Sequence, residues 1–260
     1  MTPTIAGCTY SGMRRDWRAV WRWRRSVVAL AFALPLVTGG CGLWDEPPAV
    51  SPTPAHSNAL LNPGFEEGSS QWETSPREDW QLYAIADGVA HSGQHSLQLS
   101  LAGGLPQHVA GGVQILRGAP LPEFLSGFYR VDGWQRGDPP RYVQFEVITH
   151  GPDAPDGLTD HTLRFVIGGL DASVSDPPGT ATVFLRRGDP ATRWTYFAYP
   201  IASVFEQRFG APPQSFDSIE LSFEARFDAP PGSGAASGMT AYFDDLYAGP
   251  QYGNPNRPND

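Results

Sequence analysis

The chain contains no lysine; all 18 of its basic residues are arginine, which reads as a bias of genome composition. It has two cysteines, Cys8 and Cys41, so nothing after Cys41 can be tied by a disulfide. Stability there must come from a buried core, with or without a metal. No apolar run reaches the roughly 18 residues that would read as a membrane-spanning helix. There is no Gly-x-Ser-x-Gly, no His-Glu-x-x-His and no phosphate-binding loop. The six histidines show no ligand spacing, and the acid-rich Asp153–His161 stretch lacks the order of an EF-hand loop. These absences argue against the common hydrolase, metalloprotease and nucleotide-binding classes. A pair of carboxylates brought together only by folding stays open, so an enzyme of the glycoside hydrolase or lyase kind remains an alternative.

Charge is segregated. Six arginines (Arg14, Arg15, Arg18, Arg22, Arg24, Arg25) precede Cys41 with a single acid, Asp16. The remaining chain holds 12 arginines against 26 acids, a net of −14. Nucleic-acid binding needs a basic footprint, and this is the reverse.

The arginine-rich start, the apolar run Ser26–Val37 and the small residues after it have the layout of a secretory signal. The boundaries expected are 1–40 for the signal, with Met13 as an alternative start, and 41–57 for a Pro-rich tether of about 50 Å. Thr38-Gly39-Gly40-Cys41 resembles the lipobox of bacterial lipoproteins, which implies a lipid on Cys41. Gly42 follows where an Asp would imply inner-membrane retention, so the resemblance favours the outer membrane.

What is abundant is Gly (29), Pro (26) and aromatic side chains (12%), a strand-and-turn composition. Between Leu60 and Gly249 the hydrophobic period is two. In Ser218–Phe227, Ile219, Leu221, Phe223, Ala225 and Phe227 share one face, and Glu220, Ser222, Glu224 and Arg226 the other. His95–Leu101, Tyr142–His150, Thr162–Ile167, Arg193–Ile201 and Met239–Gly249 read as further strands, with breakers between them. Ile201–Phe209 reads as the one short helix. The expectation is an all-β, two-sheet antiparallel sandwich, most simply a jelly roll, over residues 58–250. Residues 251–260 read as a disordered tail.

Four motifs stand in order: "LLNPGFEEG" with a Trp soon after, "DGVAHSGQHSLQLSL", "RWTYFAYPI" and "AYFDDLYAG". Together they resemble carbohydrate-binding modules of the family 4/9/22 type, with a galactose-binding-like jelly roll. The resemblance implies a structural calcium that ties the first strand to the last. By position its ligands would be Glu66, a backbone oxygen at Ser92 or Gly93, and Asp244 or Asp245. It also implies core positions for Trp72 and Trp194, and a polysaccharide or other glycan as partner.

Sugar sites pair aromatic faces with groups that bond hydroxyls. The candidates are Trp134, Trp80, Tyr83, Tyr142, Gln144 and Arg130, with Trp134 between breakers reading as an exposed loop tip. Tyr142 and Gln144 share a strand face with Glu146. The function expected is non-catalytic glycan binding by a tethered lipoprotein. The alternative is an envelope or assembly lipoprotein that binds a protein partner.

Overall fold

The computed structural model describes residues 58–74, 80–102, 109–137, 139–151, 157–171, 175–227, 238–251 and 253–258. The expected signal, Cys41 and the tether lie outside them. Among the described residues, eleven strands and one helix form a jelly-roll sandwich of two sheets. The strands run β1 (Trp80–Gln81), β2 (Ala84–Asp87), β3 (His95–Ala102), β4 (Val109–Arg117), β5 (Phe124–Asp132) and β6 (Arg141–His150). They continue as β7 (Asp160–Gly168), β8 (Thr180–Phe184), β9 (Thr195–Tyr199), helix α1 (Ile201–Phe209), β10 (Ser218–Phe227) and β11 (Gly238–Gly249). One sheet has the order β1-β4-β10-β6-β7-β8, the other β2-β3-β11-β5-β9. All pairings are antiparallel except β1 with β4 and β7 with β8, which are parallel.

The alternation seen in the sequence decides which side chains meet between the sheets. Phe223 sits at the centre of β10, with Phe243 of β11 at 5.1 Å, Phe145 at 6.1 Å and Trp72 at 5.9 Å between ring centroids. Phe145 stacks on Phe165 at 4.7 Å. Each such ring, once buried, contributes about 2–3 kcal/mol, which is how the core replaces a disulfide. Helix α1 buries Ile201, Phe205 and Phe209, one residue per turn along a single stripe. Gly210, at φ 93, turns the chain away from it.

The opening segment is a sequence of tight turns held by two asparagines. Asn62 Nδ2 donates to the carbonyls of Gly68 and Ser70, its Oδ1 accepts from the N–H of Glu67, and its own carbonyl accepts from Trp72 Nε1. That fixes Phe65 and Trp72 in the core, 4.9 Å apart. Asn58 joins the segment to β11, donating to Leu246 O at 2.7 Å and accepting from Ala248 N at 2.9 Å. The C-terminal residues expected to be disordered are instead bonded to the second sheet as far as they are described. Asn254 Nδ2 donates to Ser126 Oγ and to Asp245 O, both at 3.1 Å.

Candidate functional site

The outer face of the six-stranded sheet, away from the core, should carry solvated polar residues. It carries a buried network instead. Cross-strand register places Gln144 opposite Glu224, and Glu146 opposite both Ser222 and Arg164. Gln144 Nε2 donates to Glu146 Oε1 and to Glu224 Oε2, both at 2.8 Å. Arg164 Nε donates to Glu146 at 2.9 Å, Arg226 to Glu224 at 3.0 Å, and Ser222 Oγ to Glu224 at 2.8 Å. Gln144, Ser222 and Glu224 are fully buried, whereas the two arginine side chains are 25% and 22% exposed. The acids are therefore buried and the arginine side chains only partly so. Tyr142 adds an aromatic ring beside Val166 and Leu170 on the same face.

The electrostatics follow from that layering. Burial pushes the Glu224 carboxyl above its usual range and the charge of Glu146 adds to this, while Arg226 and Ser222 oppose it. Burial disfavours charge on both arginines, but Glu146 and Glu224 more than offset it and hold Arg164 and Arg226 above their ordinary values. Two polar atoms of the network, Gln144 Oε1 and Arg226 Nε, are buried without a hydrogen-bond partner. Such atoms are uncommon in folded proteins and mark a place where a partner is missing.

Of the six residues expected to touch a ligand, Tyr142 and Gln144 are on this face and the others are dispersed. Arg130 lies on the outer face of the other sheet, in a two-pronged pair with Asp132 at 3.0 and 2.6 Å. Trp134 is not an exposed loop tip. It is half-buried against the core, donates its Nε1 to Arg141 O at 2.8 Å, and has Arg136 over its ring. Tyr83 packs on the core and donates its hydroxyl to Trp72 O at 2.7 Å. Trp80 lies in β1, and its side chain is outside what the structure describes. Trp72 is core, but Trp194 is only half-buried, edge-on to His91 at 6.1 Å. The other members of the network, Arg164, Glu224 and Arg226, are polar residues of strands already legible. Only the register brings them to Gln144.

The residues expected to hold calcium meet at one place, the turn from Ala90 to Gln94. Asp244 Oδ2 accepts from the N–H of His91 at 2.7 Å and of Ser92 at 3.1 Å. Asp245 accepts from Ser92 Oγ at 2.7 Å and has His91 Nδ1 at 2.6 Å. Glu66 Oε1 accepts from the N–H of Gln94 and His95, both at 3.0 Å, which holds its carboxyl below the usual range. Gly93 is at φ +66, and a Cβ there would lie 2.3 Å from Glu66 Oε1, so the carboxylate sits against bare backbone. Burial, with the charge of Asp245 next to it, pushes Asp244 up to about 7 despite those donors. A bulge between Asp244 and Tyr247, with Asp245 at φ 51, puts both acids on the turn instead of on alternate faces.

Calcium needs six to eight oxygen ligands. Here the turn offers N–H groups, a hydroxyl and an imidazole, which are donors to carboxylates. No group of three or more acidic or histidine side chains converges on a metal position among the described residues. These contacts make a hydrogen-bonded clasp between the turn and β11.

No protein-family model and no curated protein matches the chain. Among solved structures it is similar to TmCBM61 in complex with beta-1,4-galactotriose, with 12% identity over 74% of this chain and 97% of that one, TM-score 0.38. It is also similar to the CBM22-1 xylan-binding domain of Paenibacillus barcinonensis Xyn10C, with 15% identity, coverage of 75% and 94%, TM-score 0.39. A third is a module specific for non-crystalline cellulose, CBM28, with 8% identity, coverage of 75% and 96%, TM-score 0.41. The likeness is to carbohydrate-binding modules. At these identities it concerns the sandwich alone.

Proposed function

We propose that the chain is an exported, lipid-anchored protein that binds a glycan, without cleaving it, on the outer face of the six-stranded sheet. The observation that carries this is the layered network around Gln144. Two buried carboxylates fix Arg164 and Arg226, whose side chains stay 25% and 22% exposed above them and are the part of the network a ligand can reach. Sugar hydroxyls accept hydrogen bonds, so they suit guanidinium N–H groups held in a fixed position.

The same network argues against catalysis. Glu224 has both oxygens engaged, one by Ser222 and the other by Gln144 and Arg226, and it is fully buried. A general acid must instead reach the oxygen it protonates. Anchoring rests on the signal-like start and on Cys41 in its lipobox-like setting. No helix among the described residues is long and apolar enough to cross a membrane. Gly42 after Cys41 favours the outer membrane as the address.

The test is a glycan array probed with the full-length chain, with the charge-balanced pair Arg226→Met and Glu224→Gln, and with Arg130→Ala. Binding that is lost with the pair and kept with Arg130→Ala supports the assignment. Binding lost with neither, or a blank array from folded protein, refutes it. Radiolabelled palmitate incorporated by wild type and not by Cys41→Ser tests the anchor.

A further inference from the structure

The other side of the molecule has a cavity of about 300 Å3 between the five-stranded sheet and the C-terminal segment. Register explains why it exists. Tyr247 of β11 lies opposite Ser126 of β5, and Ser126 opposite Ala198 of β9. Two small side chains thus form a floor across adjacent strands, with the Tyr247 ring at one end. Phe124 and Tyr196 stand beside that row and complete an aromatic wall. The roof is made by Pro250, Gln251, Asn254, Arg257 and Pro258, held down at two points. Gln251 N donates to Glu123 Oε2, and Asn254 Nδ2 reaches Ser126 Oγ and Asp245 O. Asn256 Nδ2 is bonded to Asp245 Oδ1.

The lining is aromatic with a few neutral hydrogen-bonding groups. Ser126, Gln251 and Asn254 contribute amides and a hydroxyl; Arg257 stands at the roof, and no carboxylate lines the space among the described residues. The Tyr247 side chain, 1% exposed, has its hydroxyl buried without a hydrogen-bond partner. Nothing in the core requires aromatic rings on this outward face, because the inner face of β5 already packs Leu125, Tyr129 and Val131. A space of this size, apolar on its walls and neutral-polar at a few points, has the character of a small-ligand site.

We propose that this cavity is a second saccharide site, which takes one neutral sugar ring. The apolar face of the ring lies on Tyr196 and Phe124 over the floor of Ala198 and Ser126, and its hydroxyls meet Gln251 and the roof. The inference does not rest on the six-stranded sheet: none of its residues is shared with the network around Gln144, and the two faces are on opposite sides of the sandwich.

The test uses the full-length chain labelled with 3-fluorotyrosine, with the Tyr196 and Tyr247 signals assigned from Tyr→Phe variants. The probes are methyl β-D-glucopyranoside, methyl β-D-galactopyranoside and methyl β-D-xylopyranoside, each alone. At least one should shift both signals saturably, with the millimolar affinity ordinary for a single ring, and about tenfold more weakly in Ala198→Leu. Ala198 is exposed, so the larger side chain fills the cavity without entering the core, and Tyr196→Ala gives a second reading by removing the wall. Gln144→Ala should leave the shifts unchanged. The proposal is overturned if no probe moves the two signals up to roughly 50 mM, well past that affinity. It is equally overturned if the shifts survive both Ala198→Leu and Tyr196→Ala, or if they vanish in Gln144→Ala.

Discussion

Asp244 Oδ2 accepts the backbone N–H groups of His91 and Ser92, residues 153 and 152 positions earlier in the chain, at 2.7 and 3.1 Å. The last strand is thereby fastened to the turn between β2 and β3. Replacing Asp244 by Ala removes both bonds, and because His91 and Ser92 lie in an exposed turn where water can take the donors, the cost is about 1–2 kcal/mol. Urea unfolding should show a lower midpoint with an unchanged slope.

Because N–H groups take the oxygens of Glu66 and Asp244, a chelator should leave the thermal midpoint where it is. A tightly bound calcium would stabilise the fold by mass action, and its removal would lower the midpoint by several degrees. Calorimetric scans with excess calcium and with EDTA separate the two cases. A clear drop in EDTA would restore the calcium reading.

Glu224 gives stability a pH dependence of definite sign. Its folded pKa is raised above the unfolded value by burial and by Glu146. Between the two values the folded state binds the extra proton, so stability is greatest on the acid side and falls as pH rises through that window. Each unit of separation is worth about 1.4 kcal/mol. Glu224→Gln should flatten this slope above the ordinary carboxylate range. Urea midpoints measured at a series of pH values check it, and a slope unchanged in the variant would count against the buried charge.

Trp134→Ala should act on stability. The indole covers part of the core and its N–H is bonded to Arg141 O, so its loss costs about 2 kcal/mol. Affinity for any glycan bound at the six-stranded sheet should stay within a factor of about two, less than a hot-spot residue would give.

The strands legible in the sequence were those with clean alternation. Ser218–Phe227 matches β10 at both ends, and Ile201–Phe209 matches α1. β4 was hidden because "VAGGVQILR" has two central glycines and a buried Gln114, so its period does not show. The network at Gln144 was half legible, as Tyr142, Gln144 and Glu146 on one face. Its other members, Arg164, Glu224 and Arg226, depend on which strand pairs with which and in what register, which local pattern does not encode. Trp134 was misread because flanking breakers imply a loop but not the direction of a side chain. The tail looked disordered by composition, yet two asparagines bond it to β5 and β11.

The central claim is that Arg164 and Arg226, set by buried acids, present the donors that hold a glycan. Removing one arginine alone would leave its carboxylate buried and unpaired, so the measurement uses the charge-balanced pair Arg164→Met with Glu146→Gln. Titration calorimetry with the best glycan from the array should show binding weakened by at least tenfold, the loss expected when a charged hydrogen-bonding group is removed from a site. Unchanged affinity in that folded double variant would contradict the account.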